Sequence, residues 1–261
     1  MKFILKFAIL CLCLALPSVA KAGAWPQAPG DTQVIISYEP GHADRAFDLS
    51  GDKNIKLNTW DQTNLSLFVD HGVSERFTLT VKVNLQDYKT EFSNFSGLGS
   101  VELGGRWTAH KGDDFVLAFG ASVEGVGQGR RSDFDTSVAQ EGTDVDLRAY
   151  FGKSFKLLGK DAFVDVQGAR HLRQYEADQW RVDATIGIKP SPQWMVMAQV
   201  FAGQTDKESW GQAKWVNAEL SVVRNFGPNL DKSVQLAVRQ TVAGRNVPAV
   251  KAVMVSLWKT F

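Results

Sequence analysis

Segment after segment of this chain alternates apolar and polar side chains with a period of two, and few sequence features restrict a fold more. Leu65, Leu67 and Val69 are interleaved with Asn64, Ser66, Phe68 and Asp70. After a turn at 71–75, Phe77, Leu79, Val81, Val83 and Leu85 are interleaved with Thr78, Thr80, Lys82 and Asn84. Side chains along an extended strand point alternately to its two faces, so each segment carries one apolar face and one polar or charged face. The pattern returns at Val101–Trp107, Phe115–Val123, Val145–Phe151, Val164–Val166, Trp180–Ile188, Val216–Val222 and Val234–Val238. With strands near 32–39, 193–203 and 248–261, the count is twelve.

Alternation of this kind has two outcomes. A soluble sandwich or lipocalin-like barrel buries the apolar face and wets the polar one, whereas a barrel in lipid does the reverse. Three features select the second. The strands, mostly about 9–13 residues, match a tilted crossing of an outer membrane better than the ~5–6 residues usual in soluble proteins. Short turns near 71–75, 110–114, 156–160 and 189–192 alternate with long polar connections near 40–58 and 127–142, the asymmetry expected of periplasmic turns and outside loops. Two connections depart from it: the turn at 227–230 is rather long and the loop near Gly244 is short. Finally, Val253, Val255, Leu257, Lys259 and Phe261 end the chain on one face. No stretch after residue 22 reaches 18 consecutive apolar residues, which leaves a closed barrel as the structure able to satisfy its backbone in lipid. The expected fold class is all-β, a transmembrane antiparallel up-and-down β-barrel of about 12 strands, with 23–261 as a single domain.

Residues 1–22 read as a secretory signal peptide. Met1–Lys6 is basic, Phe7–Pro17 is apolar, and Ser18-Val19-Ala20 and Ala20-Lys21-Ala22 offer cleavage after Ala20 or Ala22. The apolar run is shorter than the ~20 residues of a spanning helix. Leu10 and Leu12, rather than small residues, precede Cys11 and Cys13, which argues against lipidation. These are the only two cysteines, so the processed chain can use neither disulfides, thiolate metal sites nor a cysteine nucleophile. With 29 basic and 28 acidic residues the chain has no charge excess to capture nucleic acid, and none is expected as a partner.

The last strand resembles the carboxy-terminal signature of outer-membrane barrels, an alternating apolar strand ending in Phe. In those families it is read by the barrel-assembly machinery, which makes Phe261 the implied assembly signal; the third-from-last position, often aromatic there, is Lys259 here. Gly23-Ala24-Trp25-Pro26-Gln27, Gln33-Val34-Ile35, and Asp44-Arg45-Ala46-Phe47-Asp48 before Gly51-Asp52 resemble one proteobacterial group, the outer-membrane β-barrel proteins of the phenol-degradation meta-pathway type. The resemblance is sharpest over 23–85. It implies a transporter-like protein of the cell outer membrane, a channel for small molecules of which hydrophobic or aromatic ones are the class the family name suggests. It implies outer-membrane lipid, lipopolysaccharide, the assembly machinery and a small-molecule solute as partners, and no cofactor.

If the apolar face meets lipid, ten charged residues point inward: Glu102, Arg106, Glu124, Asp146, Arg148, Asp165, Arg181, Asp183, Glu219 and Arg239. Charges in a closed interior must pair or be hydrated. They form either a network that plugs the barrel or the lining of a narrow aqueous path, and the sequence leaves both open.

A lipid-modifying hydrolase of the outer membrane is the alternative, with a loop-presenting structural or adhesion barrel as a third reading. Hydrolysis would need a His beside a Ser near the outer rim. The only close pair, His71 and Ser74, lies in an expected periplasmic turn; His42 and His110 lack such a partner, and His171, near an outer rim, is followed by Leu172 and Arg173. The expectation is therefore not an enzyme, with neither catalytic nor metal residues. Gly125-Val126-Gly127-Gln128-Gly129 lacks the spacing and following helix of a phosphate loop. Asp48–Asp52 lacks the spacing of a calcium loop and reads as a solvated loop. Arg130 and Arg131 could meet lipopolysaccharide phosphates.

Overall fold

A computed structural model describes residues 23–91, 93–126, 142–209 and 211–261. The expected signal peptide, residues 1–22, and the greater part of the 127–142 loop, with Gly127, Arg130 and Arg131, lie outside the described residues. In chain order the strands are β1 (Thr32–His42), β2 (Arg45–Phe47), β3 (Ile55–Lys56), β4 (Trp60–Gly72), β5 (Phe77–Thr90), β6 (Asn94–Lys111), β7 (Phe115–Val126), β8 (Gly142–Leu157), β9 (Lys160–Leu172), β10 (Gln179–Ser191), β11 (Trp194–Thr205), β12 (Lys214–Phe226), β13 (Lys232–Arg245), β14 (Val247–Pro248) and β15 (Lys251–Thr260). Twelve of them close into one antiparallel barrel, each paired with its neighbour in sequence apart from the short strands, and β1 closes the ring against β15. Ile36 sits opposite Leu257 on one side and Leu67 on the other. Closure leaves the barrel sheet without a free edge and pairs its backbone internally.

The strands outrun the sequence-based estimate: they span 10 residues in β15 and 18 in β6. Pairing carries β6 and β8 beyond the apolar stretch that marks them in sequence, because hydrogen bonding continues after the hydrophobic signal stops. The turn at Leu158–Gly159, the pair at Pro192–Gln193 and those at 73–76 and 112–114 lie at the end where β1 begins and β15 ends, here the terminal end. The 43–59 connection lies at the opposite, loop end. It is not simply a loop: β2, β3 and β14 form a small second sheet, with Val247 opposite Phe47 and Arg45 opposite Lys56. Phe47, Ala213, Val247 and Ala249 form a buried cluster under it, against Trp215.

The outer surface is the apolar face. Ile36, Leu65, Leu79, Leu103, Val123, Leu147, Val166, Val182, Val200, Leu220, Leu236 and Leu257 are all exposed, one on each of the twelve strands of the ring. A continuous apolar belt of this extent does not face water in a soluble monomer. At the terminal end Phe77, Trp107, Phe115, Phe155, Trp194 and Phe226 are exposed on the same outer face, forming the aromatic girdle that lipid-spanning barrels carry at the membrane boundary. No helix is long and apolar enough to cross a membrane; the crossing elements are strands.

Candidate functional site: the charged lumen

Parity carries the polar members of each strand into the barrel, and there they meet. Glu102, Arg106, Glu124, Asp146, Arg148, Arg181 and Asp183 line a lumen cavity of about 660 Å³. A second cavity of about 400 Å³ lies toward the loop end, where Arg181 recurs beside Arg239 and Glu39. Asp165 and Glu219 are buried against the wall.

Three arginines organise the charge. Arg148 donates from Nε to Asp146 at 3.1 Å and from Nη1 to Asp183 at 2.5 Å and Gln167 at 3.0 Å, so β8, β9 and β10 are tied through one guanidinium. Arg106 donates to Asp70 Oδ2 at 3.1 Å and to the Trp25 carbonyl at 3.2 Å, and lies 5.3 Å from the Tyr150 ring centre. Arg239 bridges Glu219 at 2.7 Å and Glu39 at 3.0 Å, with the Phe201 ring 4.9 Å away. Fork-shaped guanidinium groups suit such two-sided holding of carboxylates. Arg181 donates to Gln179 at 2.8 Å, and Glu102 accepts from Ser122 at 2.6 Å.

Asp70, Glu39 and Asp144 belong to the same belt and stand outside the ten charges that the sequence places inward. Their parity was readable, since Asp144, Asp146 and Arg148 alternate along one face of β8; their partners were not. His171 is another addition. It is 1% exposed, with Nε2 at 3.3 Å from Asp144 and 3.8 Å from Glu124, and Nδ1 at 3.5 Å from Asp146. Glu124, Asp144 and His171 offer ligand atoms within 4.8 Å of one another and could hold a metal ion, but Arg173 Nε stands 3.8 Å from Asp144 and already brings a cation to the cluster.

The terminal end of the lumen is different. Phe163, Met195, Met197 and Val223 pack there as a buried apolar cluster with Trp25 and Trp258. Residues 23–31 enter this end: Trp25 meets Phe163 edge-on at 6.0 Å, and the Gln27 amide donates to Thr78. Gly152 makes the room, because a Cβ there would stand 2.6 Å from the Trp25 ring. The alternation rule hides this cluster, since inward-pointing methionines look like errors in a polar face.

The hydrolase pair does not assemble. His71 Nδ1 is bonded to Thr32 Oγ1 at 2.9 Å, while Ser74 Oγ accepts from the Phe77 amide at 3.1 Å. The Asp48 loop is also self-contained: its carboxylate accepts from the amides of Ser50, Gly51 and Asp52 and from Asn54 Nδ2. These bonds, with the Asp52 amide foremost, hold Asp48 below the usual carboxylate range. A concavity of about 1130 Å³ that runs across β9–β13, β15, β1 and β4 is lined mainly by outward side chains such as Ala184, Ala198, Val200 and Leu220, so it belongs to the outer surface and not to the lumen.

No protein-family model matches the sequence, and no curated protein does. Solved structures do match. The chain is similar to an outer membrane channel from Pseudomonas putida F1, with a TM-score of 0.73 at 15% identity over 93% of this chain and 100% of the other. It is also similar to the NanC porin (TM-score 0.53, 8% identity, 85% of this chain and 98% of the other). The translocator domain of the autotransporter NalP from Neisseria meningitidis gives a TM-score of 0.52 at 13% identity, over 90% of each chain. At these identities the likeness is one of fold: a closed twelve-stranded antiparallel barrel of the kind found in outer-membrane proteins.

Proposed function

We propose that this protein is an outer-membrane channel for small molecules. The observation that carries the reading is a lumen lined by paired charges around a cavity of about 660 Å³, inside a wall whose exposed face is apolar on every side. A wall of that polarity belongs in lipid, and a polar interior enclosing space belongs to a path through it. The fold likeness to an outer membrane channel and to a porin supports the same reading. Phe68, Tyr150, Phe201 and Trp215 also line that cavity, which favours small aromatic or hydrophobic solutes and agrees with the phenol-degradation resemblance. In this reading residues 1–22 export the chain, and Phe261, exposed at the terminal end, is the signal read by the assembly machinery. Residues 43–59 face outward among lipopolysaccharide.

Planar-bilayer recording of the refolded protein tests it. Discrete conductance steps are expected. Arg148→Glu alters the local charge by two units, and its reversal potential should shift toward cations, because even ~1.4 kcal/mol is a tenfold change in partition. In liposomes a small phenol should enter faster than a sugar of similar size, and Trp215→Ala should narrow the gap. A folded barrel that neither conducts nor moves any solute would make the lumen a structural core instead.

A further inference from the structure

Gly23, the innermost described residue of the segment that enters the lumen, directly follows one of the two cleavage points in the sequence. The Ala24 amide donates to Asp165 Oδ2 at 2.6 Å, and Gln167 Nε2 donates to Oδ1 at 2.8 Å. Asp165 is 2% exposed and makes no ion pair with a described residue. The guanidinium that acts on it through space, Arg106, is held by Asp70 and the Trp25 carbonyl. A buried carboxylate whose direct partners are all neutral donors is a costly arrangement.

A side chain at position 23 would displace the groups around it. The φ there is +48°, and a Cβ would stand 2.6 Å from Gln167 Nε2 and 2.7 and 2.8 Å from the two Asp165 oxygens. Just before it, Ala20-Lys21-Ala22 has the small-x-small form of a signal-peptide cleavage site. We propose that the leader is cut between Ala22 and Gly23, and that the α-ammonium so created is the cation of Asp165, latching residues 23–31 into the terminal end of the lumen. The Gly23 nitrogen is one residue from the amide that already bonds Asp165, roughly 3–4 Å along the backbone. Before cleavage that nitrogen is a neutral peptide N–H; afterwards it is an amine, charged at neutral pH since its ordinary pKa is near ~8. Cleavage after Ala20 would instead place the charge two residues away from Gly23 in the chain. The latch stands whether or not the lumen conducts.

Intact-mass measurement of the protein purified from outer membranes identifies its first residue. Gly23 is expected, and Lys21 overturns the proposal. Four chains refolded in detergent then test the ion pair: first residue Gly23 or Ala22, each with Asp165 or Asp165→Asn. All keep every strand, and heat-modifiable mobility verifies folding. Hydrogen exchange of residues 23–31, read by mass spectrometry, should be about tenfold faster when the chain starts at Ala22, equivalent to ~1.4 kcal/mol. The two Asp165→Asn chains should exchange alike. Equal exchange in the two Asp165 chains overturns the latch, and a gap that persists undiminished in the Asp165→Asn pair overturns Asp165 as its partner.

Discussion

Two arginines on neighbouring strands of this barrel are each held by two aspartates, and they lead opposite lives. Arg148 lies in the lumen between Asp146 and Asp183, with side-chain exposures of 16%, 11% and 24%. Arg170 lies on the outer face at the loop end between Asp178 at 2.9 Å and Asp206 at 2.6 Å, 5.0 Å from the Trp180 ring, and the Asp206 side chain is 47% exposed. The chemistry is the same, and the outer triad is the more exposed of the two, with Arg170 at 22% and Asp178 at 30%. An exposed ion pair contributes little, whereas removing one partner of a buried one strands an uncompensated charge. Arg148 therefore organises the interior, while Arg170 marks where the lipid-facing surface gives way to water.

Breaking each triad in turn should expose this difference most strongly. Arg148→Ala leaves Asp146 and Asp183 facing each other in the lumen and should lower unfolding stability by about 4 kcal/mol. Arg170→Ala should cost under about 1 kcal/mol. Equilibrium unfolding in detergent micelles compares the two; equal losses would mean that the lumen is as wet as the rim and that burial does not separate the pairs.

The outer wall supplies the second test. Leu220 is at the middle of β12 on the apolar face, 61% exposed, next to inward-pointing Glu219. Leu220→Arg should cost about 3 kcal/mol in lipid, as charges do at the midplane of a barrel wall. Gln240→Arg, placed nearer the loop end on the same face, should be tolerated. If the two substitutions cost the same in bilayers, the outer belt does not lie in hydrocarbon.

How much of this was legible beforehand follows from what parity can and cannot say. Away from the register shifts alternation assigns a face to each strand residue, which is why the twelve strands could be read from the chain and why one shared face is expected for the set from Glu102 to Arg239. Arg170 shows the same rule working against appearances: it falls among Val164, Val166 and Leu172 on the outer face, so its charge announces the rim. Parity says nothing about depth or about partners several strands away. Arg239 and Glu39 are 200 residues apart in sequence, and only closure of the ring joins them. Depth is also what hides the apolar cluster, because Met195 and Met197 obey parity while breaking polarity. They mark the level at which the lumen stops being polar and Trp25 packs. Met197→Ala should cost about 2–3 kcal/mol through the cavity it leaves and should loosen residues 23–31 without shifting ion selectivity. A changed reversal potential with unchanged stability would place Met197 in the charged path instead.

The smallest effect belongs to the rim, and its pH dependence has a definite sign. Arg170 hydrogen-bonds Asp206, which lies just beyond the end of β11, and holds its carboxyl below the usual carboxylate range. A carboxylate depressed in the folded state stabilises the fold above its unfolded pKa of ~3.9 and loses that contribution as pH falls through the lower folded value. Asp206→Asn should therefore be less stable than the parent at pH 7, by well under 1 kcal/mol once exposure and screening are counted. The gap should stay level down to about pH 5 and close as the pH drops below ~4. High salt should shrink it at neutral pH as well, since the pair faces water. A gap that widened in acid would show that Asp206 is protonated more readily in the folded barrel than in the unfolded chain, and Arg170 would then be no anchor of the rim.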